Sequence, residues 1–275
     1  MYLTAIFLIG LAASIIGAVC GIGGGVIIKP VMDITGLTDV SSASFLSTCT
    51  VLMMTAYSVF RNKKNSARSR DKNLSEGCDG SGKIDLKNVV PLAIGAAMGG
   101  LAGKMIFETA KEMLSLSDRI GAFQSVILGA VAAGTLIYTK NKKKIKTKRL
   151  KNMAIILIFG VLLGCMSSFL GIGGGPIDLV VLYYFFSMET KTAVQNSLFI
   201  IFISQIFSLS YTIATSSIPD VSLQEVVLMA AGGITGGIIG RRINSKISSE
   251  VIEKLFTGVL ACIILISVYN FFHYL

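Results

Sequence analysis

The chain has one histidine, His273, third from its end, and only 15 acidic residues against 25 Lys and Arg. Catalysis within an apolar protein would need a nucleophile beside a base, or a group of metal ligands. One terminal imidazole and two scattered aspartates supply neither, so no enzyme, metal or other cofactor is expected. The five cysteines show no metal-ligand spacing and form no disulfide framework. Cys20, Cys49, Cys165 and Cys262 lie in apolar runs, where a small packing residue is the ordinary role. Cys78 lies in a basic stretch, as suits a reducing cytosolic setting. Charge is scarce as well: 15% of residues are charged and 53% are hydrophobic, which excludes an ordinary soluble domain. No Lys or Arg precedes Lys29. The basic region of a secretory signal is missing, and the N-terminal segment is expected to remain in the mature protein.

What the sequence has in abundance is apolar runs of membrane-crossing length, about 17–25 residues. They cover residues 3–19, 40–60, 89–107, 120–138, 153–170, 190–211, 226–240 and 251–272. Two shorter runs, 26–35 and 176–186, each follow a Gly-Ile-Gly-Gly-Gly cluster, at 21–25 and 171–175. Each glycine weakens a helix by about 1 kcal/mol relative to alanine, so the helix should break at both clusters. Lipid cannot satisfy the backbone groups that a break exposes, so each break is expected to line a polar cavity or a ligand site.

The clusters are 150 residues apart, and at that offset Ala43 falls on Ala193 and Ser47 on Ser197. Further on, Gly-Gly-Leu-Ala-Gly-Lys at 99–104 is echoed by Gly-Gly-Ile-Ile-Gly-Arg at 236–241. Small residues at this spacing let helices approach closely, which places both segments in the bundle interior. The expected organisation is a single membrane domain: a first repeat over 1–139, a basic linker over 140–152 and a second repeat over 153–275.

Positive charge decides how the repeats are oriented. If every long run crosses, the Lys and Arg divide poorly between the two sides. If each glycine cluster instead turns a hairpin on one face, 21 of the 25 fall on one side, including all eight in 140–151. The positive-inside rule therefore favours an all-α integral membrane protein of two four-segment inverted repeats, each opening with a glycine-broken helix. Run 3–19 nearly spans the core, so a broken crossing helix remains the alternative. The basic tract belongs with topology and anionic lipid headgroups, not nucleic acid. Residues 62–87, rich in Ser, Gly and Lys, are expected to form a mobile loop without chemistry. Inverted repeats with discontinuous helices place a substrate site at the midplane. The helix starts at Val26 and Pro176 would direct their positive ends there, which suits a small anion. The expected cradle is Gly23, Gly24 and Gly25 with Gly173, Gly174 and Gly175. Ser44, Ser47 and Thr48 from the first half and Gln195, Asn196 and Ser197 from the second would complete it.

The run from Gly17 through residues 21–25 to Pro30, its echo at 171–175 and the Ala-x3-Ser opening of the next helix resemble the TauE/SafE (TSUP) family of sulfite exporters. The resemblance covers essentially the whole chain. It implies a cell-membrane transporter of sulfite or an organosulfonate, with alternating access around the glycine-rich site and its basic loops in the cytosol. The second half departs from the pattern, with Val180 in the place of Pro30 and Pro176 earlier. The two half-helices are thus expected to contact an anion unequally. Two aspartates lie near the breaks: Asp178, a helix-dipole partner or a coupling relay, and Asp33, nearer the surface. Lys29 is expected either to attract the anion or to reach the outer headgroups. A cation-coupled importer and a passive anion channel are the alternatives to an exporter, and the sequence allows a homodimer.

Overall fold

The computed structural model describes residues 2–36, 38–71, 85–114, 117–150, 152–172 and 174–273. The regular secondary structure among these residues is helical, with no strand. The first half contains α1 (Tyr2–Cys20), α2 (Gly25–Thr35), α3 (Val40–Asp71), α4 (Leu86–Leu114) and α5 (Ser117–Asn141). The second contains α6 (Met153–Phe169), α7 (Pro176–Phe186), α8 (Thr190–Ala214), α9 (Leu223–Lys246) and α10 (Ser249–His273). Seven helices are long and apolar enough to cross a membrane: α1, α3, α4, α5, α8, α9 and α10. The shorter α6, with 17 residues, and α7, with 11, are also apolar. Large apolar side chains such as Leu8, Phe123, Ile158 and Leu265 face outward, as expected of surfaces in contact with lipid. The protein is a multi-pass membrane protein.

Helix boundaries follow local chemistry. The Asn152 side chain accepts from the Ala154 N–H ahead of α6, and Ser222 and Glu225 form a reciprocal capping box on α9. Asp39 accepts from the Ser41 and Ser42 N–H groups at the start of α3. Burial raises its carboxyl pKa, but hydrogen bonds from Ser42 and Ser41 outweigh that and hold it below the usual carboxylate range. The sequence reading began the first basic loop at residue 62, whereas α3 continues to Asp71. Polar residues extend a helix beyond the apolar run once water can solvate them, so hydropathy marked the membrane boundary and not the helix end.

The packing exchanges partners between halves. The most extensive contacts are α4 with α6 and α1 with α9. Next come α5 with α10, and α3 with α9 alongside α4 with α8. Relabelling α1–α5 as α6–α10 and the reverse maps this set onto itself. Glycines set the closeness of the first two pairs. A Cβ at Gly99 would overlap the Val161 carbonyl of α6, and one at Gly236 would meet Ser14 and the Leu11 carbonyl of α1. The two Gly-Gly-x-x-Gly segments therefore lie in the interior, as their spacing suggests.

Linker contacts show which helix ends lie together. The Lys148 and Leu150 N–H groups donate to the carbonyls of Tyr184 and Phe185 near the end of α7, at 2.8 and 2.9 Å. The same linker leads into α6 at Met153. Glu253 near the start of α10 pairs with Lys142 at 2.9 Å and accepts from Thr190 at the start of α8. At the other end, the Asn270 amide of α10 donates to the Pro30 carbonyl of α2 at 3.3 Å.

Replacing Gly99 by Leu should force α4 away from α6 at a cost of about 1–3 kcal/mol or more, the usual range for overpacking. Nothing lies within 4 Å of a Cβ at Gly134. Thermal unfolding in detergent should therefore show a marked loss for Gly99→Leu and little change for Gly134→Leu.

Candidate functional site

The chain leaves α1 at Cys20 and re-enters a helix at Gly25; it leaves α6 at Phe169 and re-enters at Pro176. Gly21, Gly23, Gly171 and Gly174 have φ of 76°, 71°, 66° and 118°, a region where a side chain is strained. The two breaks meet each other. A Cβ on Gly25 would overlap the Ile172 carbonyl and crowd Ser47, and one on Gly171 would collide with the Ser44 hydroxyl. From the second half, Ser197 donates to the Gly21 carbonyl at 2.7 Å. Backbone from both breaks and serines from α3 and α8 thus converge on one buried place.

Beside it is a cavity of about 530 Å³. Its polar wall includes Ser44 and Thr48 of α3, Lys104 of α4, Ser168 of α6 and Gln205 of α8, with Gly171 from the second break. Phe45, Phe107 and Phe169 form part of the apolar wall, and Ser217, Ile218 and Pro219 border it after α8. Lys104 donates to Thr212 and to the Ser208 carbonyl. Glu108 also lines the cavity and accepts from the Tyr211 hydroxyl at 3.5 Å. The buried oxygens of Ser44, Ser47, Ser168 and Gln205 (Oε1) have no hydrogen-bond partner in the protein. A buried hydroxyl without a partner is costly, and three of these groups are hydroxyls able to donate to a bound anion.

A family model described as the sulfite exporter TauE/SafE matches residues 6–266. The chain belongs to the TauE/SafE sulfite exporter family. No curated protein matches it. No solved structure does so either. Family and helices together make this chain a membrane transporter, and the family implies a small anionic substrate.

The expected site residues of this TauE/SafE protein divide into groups. Ser44, Ser47, Gly25, Gly171 and Ser197 come together, and Thr48 lines the cavity. Gly24 packs on Ala13 of α1, and Gly175 precedes α7. Gly174 is pressed against Ile201 of α8. Gly173 lies outside the described residues. Gln195 and Asn196 make other contacts: the Gln195 Oε1 accepts from Arg241 at 3.5 Å, and the Asn196 Oδ1 accepts from the Asp85 N–H at 2.9 Å. Asp178 is buried and accepts from the Gly175 N–H at 3.4 Å, closing a capping arrangement on α7. A carboxylate therefore already faces that helix start.

Lys29 does not reach the headgroups. It is 3% exposed and donates to Gln124 Oε1 at 2.5 Å and to the Leu170 carbonyl at 2.7 Å. Leu170 ends α6, so the ammonium meets the negative end of that helix. Asp33, one turn further along α2, interacts electrostatically with Lys29. The short helix carries this lysine inward, whereas the headgroup reading assumed that its side chain was free to extend outward.

Sequence reasoning did not single out the cavity residues Lys104, Ser168 and Gln205. Lys104 had a signal, since it ends the first Gly-Gly-x-x-Gly-Lys segment and is matched by Arg241. Ser168 and Gln205 had none, because an isolated polar residue in an apolar run does not reveal which face it occupies.

Ser197→Ala should leave the Gly21 carbonyl without its donor at a cost of about 1–3 kcal/mol, the usual range for an orphaned buried group. Its thermal midpoint should fall below that of the unaltered protein, and a Ser210→Ala control on the same helix should fall less.

Proposed function

We propose that this TauE/SafE protein moves a small sulfur-containing anion, sulfite or an organosulfonate, outward across the cell membrane by alternating access. The observation that carries this reading is the pair of partnerless hydroxyls, Ser44 and Ser47, at the glycine breaks of both halves, beside a cavity bearing Lys104. The substrate site in this reading comprises those serines with Gly23–Gly25, Gly173–Gly175, Thr48 and Ser197. α2 starts at Gly25, so its positive end adds to the attraction for an anion. Asp178 already faces the α7 start, and the two half-helices contribute unequally. The sulfur chemistry rests on the family.

The reading includes two inverted repeats, over 1–139 and 153–275, each opening with a re-entrant hairpin. Support comes from the linker at 148–150, which bonds to the end of α7 and leads directly into α6. The exchange-symmetric helix pairing supports it as well. This arrangement places the basic linker in the cytosol, by the positive-inside rule. Membrane potential then favours export: about 2.3 kcal/mol per charge per 100 mV drives an anion out of a negative interior without a coupling ion.

A ligand of the folded state raises stability by mass action, about 2.7 kcal/mol at one hundred times its Kd. The purified protein should accordingly show a saturable thermal shift with sulfite or a sulfonate but not with acetate or chloride. Ser44→Ala and Ser47→Ala, which remove the partnerless hydroxyls, should each weaken the shift, while shifts only with carboxylates would overturn the sulfur reading. In proteoliposomes, Asp178→Asn should leave potential-driven efflux of the bound anion intact. Loss of uptake alone would instead identify a cation-coupled importer.

A further inference from the structure

Lys104 and Arg241 hold matching places in the two halves. Each follows a Gly-Gly-x-x-Gly segment, and they are 137 residues apart. Their docking partners match too. Lys104 on α4 donates to the carbonyl of Ser208 on α8, at 3.4 Å, and Arg241 on α9 donates to the carbonyl of Ser58 on α3, at 2.6 Å. Ser58 and Ser208 are 150 residues apart, the offset that superimposes the glycine clusters. Each cation therefore reaches across to the same position of the opposite half.

The surroundings of the two cations differ. Lys104 lies on the wall of the cavity, which is also lined by Glu108 and by Ser44 and Gln205, whose oxygens Oγ and Oε1 have no partner. Around Arg241 the polar groups are closed on one another. Its guanidinium bridges Ser58 of α3 and Gln195 of α8. The residue matching Gln205 at the same offset is Thr55, which is fully buried and donates to the Val51 carbonyl at 2.7 Å. Asn244, one turn beyond Arg241, is buried and donates to the Val19 carbonyl at 2.7 Å. One member of the pair is thus beside an open polar space, and the other is a strut between α3 and α8.

We propose that Lys104 and Arg241 serve the transported anion in turn: Lys104 receives it in the cavity beside Ser44 and Gln205, while Arg241, docked on Ser58 and Gln195, bars the opposite end of the path. The proposal rests on the anion-transport reading above. Its chemistry follows from the acceptors. An anion is a stronger partner for a guanidinium than a neutral carbonyl or amide oxygen, so an anion reaching Arg241 competes with Ser58 and Gln195 and loosens the strut. The same residue that closes the path is then released by the solute that must pass. Lys104 bonds a carbonyl and a hydroxyl and also interacts electrostatically with Glu108, one turn along α4; an arriving oxyanion can replace the two hydrogen-bond partners and competes with Glu108 for the charge.

The test has two readouts. Sulfite binding to the purified protein should weaken about tenfold or more in Lys104→Gln, as expected for loss of a charge-assisted contact, and Lys104→Arg should recover most of it. Separately, Thr55→Cys places a thiol in the closed region. In sulfite-free membrane vesicles, a membrane-impermeant maleimide applied from the face carrying the 142–150 linker should modify that thiol, read by peptide mass, about tenfold faster when Arg241→Gln is added, the gain expected for losing a charge-assisted contact. If Arg241→Gln does not reach the membrane, Arg241→Lys keeps the charge without the fork and carries the same comparison. Unchanged labelling, or unchanged sulfite affinity in Lys104→Gln, overturns the proposal. Sulfite binding that ignores Lys104 would leave the sulfur-anion reading standing. Faster labelling in a protein that binds no sulfite would overturn that reading and leave the Arg241 strut standing.

Discussion

Backbone polar groups at membrane depth have no water to bond with, and the architecture around the two glycine clusters follows from that constraint. Where α1 and α6 stop, each break is covered by parts of the other half. Ser197 of α8 bonds the Gly21 carbonyl, and Lys29 of α2 bonds the Leu170 carbonyl. Side chains would prevent that mutual cover, since a Cβ on Gly25 would occupy the space of the Ile172 carbonyl. The clusters are glycine for the sake of this contact as much as for the turn.

Close contact at the breaks requires the surrounding helices to be held firmly, and the exchange of partners provides this. α1 packs most closely on α9 and α6 on α4, so each broken element is clasped by the opposite half. With Gly99 and Gly236 the backbones approach so closely that a Cβ would overlap a carbonyl, and such close packing gives dispersion where no hydrophobic force operates between helices. The same arrangement makes the interface between halves the natural place for relative motion, because it runs through the proposed site.

The electrostatics of the two halves are uneven. In the first half, Lys29 is committed to the end of α6; in the second, Asp178 is committed to the start of α7. Neither charge is offered to the cavity. The cation that lines it is Lys104, accompanied by Glu108, and the remaining polarity comes from hydroxyls and an amide. A solute there meets the Lys104 ammonium, the Glu108 carboxyl group and several neutral groups, so a preference for an anion rests on direct contact with the ammonium and the hydroxyls and not on the net charge of the lining.

Composition, run lengths and the doubled pentapeptide determined the class of this protein by themselves. A chain with 53% hydrophobic residues and repeated spans must lie in a membrane, and four glycines in five residues must interrupt a helix. The convergence of Ser44, Ser47 and Ser197 was also legible, because the 150-residue offset carried Ser47 onto Ser197. Other assignments needed tertiary structure. Gln195 and Asn196 looked equally suited to the site, but a rotation of about 100° per residue turns each to a different neighbour, Arg241 and Asp85. Lys29 followed a glycine cluster, and only the packing of α2 against α5 and the end of α6 decided that its charge is used internally. Gln205 and Ser168 became cavity residues because of where α8 and α6 cross α4. Periodicity tells which residues share a face, but which faces meet depends on contacts between residues a hundred or more positions apart.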